Sequence, residues 1–590
     1  MAFELMLTFT LGGLGQKSNS NAGCTVANGL TIPAKLATGA RTRNECMQDE
    51  KCGGAAMCEN STWKANASCP RIPTSMLWRG YERGTSPAHN VVVKNVHSWI
   101  REAQCNISRG ERIRRLNVLV LGGSVTHGGM NSPGAQVYWT RRHDQAPLFD
   151  ALLALLPADG AWWGSVSLED IINVKGLPTS GMGPSYMAEC VHRHVDFLFN
   201  GSHPDVAFLE YGVNDFGPRA EPMLVLIKNL LRVGTAVVVI HHFAPAFQNF
   251  EGNNGNQRMV LPLTAESKHA AVARLLGVSQ ISVSRATGLG NRSAVTRVLH
   301  PCAFVCGFSS DHIHPTGCGH RFLAQMAAAA LFDLIALPRV LPPQKGACRA
   351  EPRKCSELDV DVATSAVNVR IHPCAATPAA KCYSMAGPRE SWNLKPTNSD
   401  SSSWRLLDLK ASWKYSVGHP GHRIYKFIWE GRIANATAEF AIKCPTNTTG
   451  VRIMYLRSQR LRYGDGLISI NGKQVGTLSG TSEKYTLFKG ADFLVNDSHS
   501  KANRRHDLVG GLGDLYRYAT RTSRPPPQPL DHVVMNVTLT VLANKTHGLQ
   551  QRNSSNQTRG GQGFAVNSII CLESIGQGVY YLDGRLKTQE

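Results

Sequence analysis

The stretch Val118-Leu119-Val120-Leu121-Gly122-Gly123-Ser124-Val125-Thr126 decides how this chain folds. Four consecutive apolar residues read as a strand buried on both faces, as strands of parallel sheets are. Two glycines then turn the chain, so Ser124 sits at the carboxyl end of that strand, where a hydroxyl can be presented to a cleft. A second apolar run, Val206-Ala207-Phe208-Leu209, leads into Gly212-Val213-Asn214-Asp215, which puts Asn214 at another strand end. A third block, Asp311-His312-Ile313-His314, supplies a carboxylate and an imidazole three residues apart, ahead of a helix-like segment. A hydroxyl nucleophile, a base with its orienting acid and an amide donor are the parts that acyl transfer needs.

Around these blocks strands and helices alternate from residue 86 to 340. A helix is expected over Ala146–Leu156, a strand over Leu168–Val174, a helix over Pro222–Val233 and a strand over 236–241. A helix over 265–276, a strand over 278–283 and a final helix after Gly319 follow. Such alternation implies a parallel sheet covered by helices, with reacting groups at the carboxyl ends of its strands. Beyond residue 385 the pattern turns to strands, including Ile424–Ile428, Ala438–Ile442, Val451–Leu456, Leu467–Ile470, His532–Leu542 and Gly563–Cys571. Asn471-Gly472 between two of them is a hairpin signal. This half reads as an antiparallel β-sandwich, with the Arg-, Gly- and Pro-rich segment 500–530 an exposed insertion. The chain thus divides into a cysteine-rich region (1–85), an α/β domain (86–340), a cysteine-containing linker (341–384) and the sandwich-like domain (385–590).

In order and spacing the three blocks resemble the SGNH hydrolases, or GDSL-type esterases, over roughly residues 110–340. The resemblance implies a flavodoxin-like parallel sheet covered by helices. It makes Ser124 the nucleophile, His314 the general base and Asp311 the acid that orients it. The oxyanion hole would be built from the N–H of Ser124, the Asn214 side chain and a loop glycine N–H. In Gly176-Leu177-Pro178-Thr179-Ser180-Gly181-Met182-Gly183 three glycines compete for the last role, with Gly181 favoured. Gly123 stands where the family most often has aspartate, a residue that is not catalytic there. No Gly-x-Ser-x-Gly elbow surrounds Ser124, which counts against an α/β-hydrolase. Each block alone also has a structural reading, as a turn, a helix cap or a capped loop; in series they favour catalysis. His241 and His242 follow a strand and read as structural histidines, and His127 carries a weaker signal still.

Composition sets the compartment and the partners. Sixteen cysteines indicate oxidising surroundings. Sequons headed by Asn60, Asn66, Asn106, Asn200, Asn291, Asn435, Asn447, Asn496, Asn536, Asn544, Asn553 and Asn556 agree with the secretory pathway or the extracellular space. Met1–Gly15 is mildly apolar, without a basic n-region, and reads as a poor signal peptide or a truncated start. No apolar run reaches eighteen residues, so a membrane span is not expected. Lys and Arg number 63 against 42 Asp and Glu, a formal charge of +21. No nucleic-acid-binding motif accompanies that charge, and an anionic polysaccharide fits it as well as plain solubility does. Cys302, Cys306, Cys318 and His320 match no common zinc spacing; disulfides pinning the Asp311–His314 loop are expected instead, with no metal and no cofactor.

The resulting expectation is a secreted serine esterase removing an acyl group, such as acetyl, from a glycan or small ester. A glycan O-acyltransferase would use the same residues, with a sugar hydroxyl replacing water. A glycan-binding surface protein with an inactive hydrolase domain is the alternative from another class.

Overall fold

The computed structural model describes residues 74–126, 166–179, 181–215, 219–242, 265–287, 314–315, 317–336, 382–385, 393–399, 404–408, 427–446, 448–458, 463–480, 487–495, 532–542 and 563–572. It also describes the short strands 24–25, 31–32, 249–251, 258–260, 358–361, 368–371, 579–582 and 585–588. The expected helix Ala146–Leu156, the segment 500–530, Asp311, His127, Cys302, Cys306 and the side chain of Cys318 lie outside the described residues.

The buried apolar runs form the strands that their patterning predicts. Strands β1 (Tyr81–Glu82), β2 (Leu116–Gly122), β3 (Ile172–Pro178), β4 (Val206–Glu210), β5 (Ala236–His241) and β6 (Ser279–Ser282) make one six-stranded sheet. Its order is β1-β6-β5-β4-β2-β3, with β2 to β6 parallel and β1 antiparallel at the edge. Two elements before residue 86 therefore join this unit, β1 and the helix α1 (Thr74–Gly80). Every residue of β2, β4 and β5 is buried, so helices must cover both faces. They are α2 (Pro87–Ser108), α3 (Pro184–Phe199), α4 (Glu221–Arg232), α5 (Ala265–Leu275) and α6 (Gly317–Ala336). Helix α2 starts at Ser86, whose hydroxyl accepts from His89 N–H at 3.1 Å, with Pro87 in the first turn, where its missing donor costs nothing. The five parallel strands have the flavodoxin-like order. From β2 the chain steps to one side to form β3 and to the other to form β4, so the crevice opens above the carboxyl end of β2.

One expected strand is displaced. Leu168–Ile171 is a helical turn, and the strand starts at Ile172. Ser167 caps the turn, accepting from Asp170 N–H at 3.3 Å and donating to Asp170 Oδ2 at 2.8 Å. Local capping thus decides the conformation of Leu168-Glu169-Asp170-Ile171, whose two central acidic residues leave no continuous apolar run.

The second half is an antiparallel β-sandwich. Its strands are β7 (Cys382–Ser384), β8 (Asn398–Ser399), β9 (Trp404–Asp408), β10 (Phe427–Gly431), β11 (Thr437–Pro445), β12 (Gly450–Arg457), β13 (Asp465–Ile470), β14 (Lys473–Ser479), β15 (Leu487–Leu494), β16 (His532–Val541) and β17 (Phe564–Leu572). One sheet runs β9-β10-β17-β12-β15, with β7 also against β17; the other runs β8-β11-β16-β13-β14. Asn471 and Gly472 both have positive φ, 50° and 77°, as a two-residue hairpin between β13 and β14 requires. Phe440, Ile453, Ile468, Val537, Leu539 and Phe564 fill the space between the sheets. The disulfide Cys444–Cys571 joins the sheets, and Cys190–Cys382 joins α3 to β7. Apolar packing continues from the α/β unit into the sandwich through Met454, Leu456, Tyr463, Phe488 and Ile570.

Candidate active site

Ser124 lies two residues beyond β2, buried, at the point where the sheet opens. His314, far away in sequence, reaches it: Nε2 is 2.8 Å from Ser124 Oγ. Both side chains are nearly closed off from solvent, at 6% and 8% exposure, so little water competes for that bond. The imidazole of the third expected block is thus within hydrogen-bonding reach of the Ser124 hydroxyl. Asp311 falls outside the described residues.

Asn214 packs against the same turn. Its Oδ1 accepts from Ser124 N–H at 3.0 Å and lies 3.4 Å from Ser124 Oγ. Close packing on both sides of the turn explains the two glycines. A Cβ on Gly122 would lie 1.9 Å from Thr126 Oγ1, and one on Gly123 would lie 1.7 Å from Asn214 Oδ1. Gly123 therefore suits this chain because the Asn214 carboxamide fills the side-chain space at position 123. At rest, the Ser124 N–H is engaged by Asn214.

Of the three competing glycines, Gly176 lies within β3, paired with Val120. Gly181 and Gly183 lie in the loop that leads into α3. That loop is tied to β2, since Thr179 N–H donates to Gly122 O at 2.9 Å. Gly181 has φ +79°, which favours glycine. A Cβ on Gly183 would lie 2.9 Å from Asn214 O, so the loop passes close over the Asn214 backbone.

Two polar groups to which motif reading gave no role support this constellation. Glu210, the last residue of β4, is fully buried. Its Oε1 accepts from Gly212 N–H at 3.0 Å, its Oε2 from Thr126 Oγ1 at 3.2 Å, and its backbone carbonyl from Gly123 N–H at 3.0 Å. One residue thus links the turn bearing Ser124 to the turn bearing Asn214. Burial pushes its carboxyl up to about 7, against the smaller opposing effect of the Gly212 and Thr126 hydrogen bonds. The second group is Asp215. Its Oδ2 meets Lys268 Nζ at 2.8 Å and His269 Nε2 at 2.6 Å, and Lys268 Nζ also donates to Asp215 O at 3.3 Å. Burial alone would raise the Asp215 carboxyl, but Lys268 and His269 outweigh it and hold the carboxyl below its ordinary value. Burial lowers His269, against the opposing hydrogen bond and charge of Asp215. The signals were present in the sequence, a lone Glu closing an apolar strand and Lys-His inside an amphipathic helix, but neither has a partner until the fold supplies one.

His241 is buried, with Nε2 2.9 Å from Gln280 Oε1, and burial lowers it to about 3. It belongs to the β5–β6 packing, and His242 beside it is buried as well. Among the described residues no cluster of His, Cys, Asp or Glu could hold a metal ion, and no helix is long and apolar enough to cross a membrane.

No family profile and no curated protein matches this sequence. Among solved structures the chain is similar to a two-domain esterase (CEX) active on acetylated mannans, co-crystallised with mannopentaose. The identity is 12%, the TM-score 0.41, and the match covers 84% of this chain and 99% of that one. A second structure of a two-domain esterase (CEX) active on acetylated mannans gives 13% identity, a TM-score of 0.41, and coverage of 84% and 98%. A family 6 carbohydrate-binding module gives 10% identity and a TM-score of 0.15 over 30% of this chain and 89% of its own. The likeness assigns no activity.

Proposed function

We propose that this protein is a secreted serine esterase of the SGNH type that removes an acyl group, acetyl among the candidates, from a glycan. The contact between His314 Nε2 and Ser124 Oγ at 2.8 Å carries the proposal. An alcohol is a weak nucleophile at neutral pH and needs a base within hydrogen-bonding reach. His314 takes the Ser124 proton as Oγ attacks the ester carbonyl, then returns it to the leaving sugar hydroxyl. Asp311, three residues before His314, would fix the imidazole tautomer. Water attacks the acyl-enzyme in the second half, with His314 again as base.

The tetrahedral oxyanion needs donors aimed at it beforehand. With Asn214 Oδ1 engaged by Ser124 N–H, the Asn214 Nδ2 group is left to donate. Gly181 N–H supplies the second donor from the opposite loop. Ser124 N–H, the third expected donor, is bonded to Asn214 Oδ1 at rest, which fixes the carboxamide that carries Nδ2. Secretion is supported by the disulfides Cys190–Cys382 and Cys444–Cys571, bonds of oxidising compartments. Three sequon asparagines, Asn200, Asn435 and Asn536, are solvent-exposed, as glycan acceptors must be.

The test is release of p-nitrophenol from p-nitrophenyl acetate and of acetate from a panel of O-acetylated polysaccharides, acetylated mannan included. Ser124→Ala and His314→Ala should each lower turnover by about 10⁴–10⁶ while keeping the wild-type melting temperature. A fluorophosphonate should label the wild type and spare Ser124→Ala. Wild-type rates in either variant would remove the assignment.

A further inference from the structure

The loop that carries Thr179 and Gly181 to Gly183 depends on its neighbours for its position. Gly181 and Gly183 give it little conformational preference of its own, so whatever fixes it has to come from neighbours. On one side it is fixed by the nucleophile strand, through Thr179 N–H to Gly122 O. On the other side it is fixed by the β-sandwich. Phe488 N–H of β15 donates to Gly181 O at 2.8 Å, and Met182 forms a parallel bridge with Phe488. Strand β15 is the edge of its sheet, and Phe488 pairs with Leu456 on the inner side. The loop has in effect added itself to that edge.

A second tie secures the residues that follow. Arg452 of β12 is buried at 4% exposure, and its guanidinium spans the two units. Nε and Nη2 hold Asp492 of β15 at 2.6 and 3.0 Å, while Nη1 donates to Ser185 O at 3.1 Å and Glu189 Oε1 at 3.3 Å, both in the first turns of α3. Arg219, bonded to Glu221 at 2.7 Å, lies 3.7 Å from the same Asp492. The Cys190–Cys382 disulfide closes the junction at the residue of α3 that follows Glu189.

We propose that the β-sandwich is a working part of the active site: Phe488 and Arg452 are positioning residues that hold the loop 179–183 so that Gly181 N–H faces the developing oxyanion. This inference rests on the esterase reading and extends it, since the sandwich then acts on kcat whether or not it binds glycan. A donor that serves only the transition state affects turnover more than substrate binding.

The experiment compares Phe488→Ala, which keeps the N–H, with Phe488→Pro, which removes it at an edge position where proline is tolerated. In the full chain, Phe488→Pro should show kcat on p-nitrophenyl acetate roughly tenfold or more below that of Phe488→Ala, short of the 10²–10³ that losing a whole oxyanion donor costs. KM should stay within about threefold, because the interaction lost serves mainly the transition state. Amide hydrogen exchange at residues 179–183 should be faster in Phe488→Pro and unchanged in Phe488→Ala. Arg452→Lys, which keeps the charge but cannot span Asp492 and Ser185 together, should show the same pair of effects more weakly and serves if the proline variant does not fold. Equal kcat in the two Phe488 variants, or faster exchange with unchanged kcat, would overturn the proposal. A wild type inactive on every ester would overturn the esterase reading and the catalytic part of this one, leaving the exchange comparison to decide whether β15 holds the loop.

Discussion

Gly123 and Asn214 compete for one volume: a Cβ on Gly123 would lie 1.7 Å from Asn214 Oδ1 and 2.7 Å from Asn214 Cγ. The carboxamide that fills this space is the one bonded to Ser124 N–H, so the second glycine of the turn and the asparagine are a matched pair.

Gly123→Ala should therefore act on catalysis through Asn214. The methyl group has to push the carboxamide aside, since the atoms it meets belong to a side chain locked by the turn. Turnover should fall by about 10²–10³, the cost of one oxyanion donor, with a smaller loss of thermal stability. Steady-state kinetics and a melting curve on the same preparation check this; wild-type kcat would show that Asn214 keeps its place by another route.

Asn214→Ala should cost roughly 3–4 kcal/mol of transition-state stabilisation, appearing in kcat rather than KM. The oxyanion exists only near the transition state, so a donor aimed at it by the end of β4 contributes little to substrate binding. If Asn214 merely closes its turn, the variant will melt earlier and keep its turnover, and measuring both quantities separates the two roles.

Glu210 gives the protein a pH-dependent stability of definite sign. Its folded-state carboxyl is raised by burial from 4.5 to about 7, so the folded protein holds it mainly as the neutral acid only below that pH. Its contribution is fully present below the unfolded value and is lost as pH rises through about 7, a change on the order of 3 kcal/mol. Glu210→Gln keeps an acceptor for Gly212 and a partner for Thr126 without an ionisable group. Urea midpoints of wild type minus variant should fall between pH 5 and 8. A flat difference would mean that Glu210 is already ionised in the folded protein.

Lys268→Met should destabilise the fold by about 3–5 kcal/mol, because it leaves the Asp215 carboxylate buried with one cation removed. The carboxyl is held below its ordinary value, so its stabilising contribution is present above about pH 4 and is lost as pH falls through the lower folded value. The stability advantage of wild type over Asp215→Asn should accordingly shrink in acid, which denaturant midpoints at pH 3 to 6 would record. An advantage unchanged at pH 3 would count against the ion pair.

The sequence by itself determined the strands and their chemistry. The runs 118–121, 206–209 and 236–240 are apolar on both faces, and a strand of that kind is stable only inside a helix-covered parallel sheet. Once they are strands, Ser124 and Asn214 must emerge at their carboxyl ends, and the Asn471-Gly472 hairpin follows from two residues that tolerate positive φ. Residues 168–171 misled, because the serine at 167 caps Leu168-Glu169-Asp170-Ile171 into a helical turn ahead of the strand. Only the tertiary structure decided which distant groups meet. His314 reaches Ser124 across 190 residues, Phe488 meets Gly181 across an even longer stretch of chain, and Arg452 meets Glu189 across 263. Local pattern records burial and turn chemistry, which act over a few residues. Pairing between buried polar groups depends on sheet order and on the docking of the two units, and neither leaves a periodic trace in the sequence.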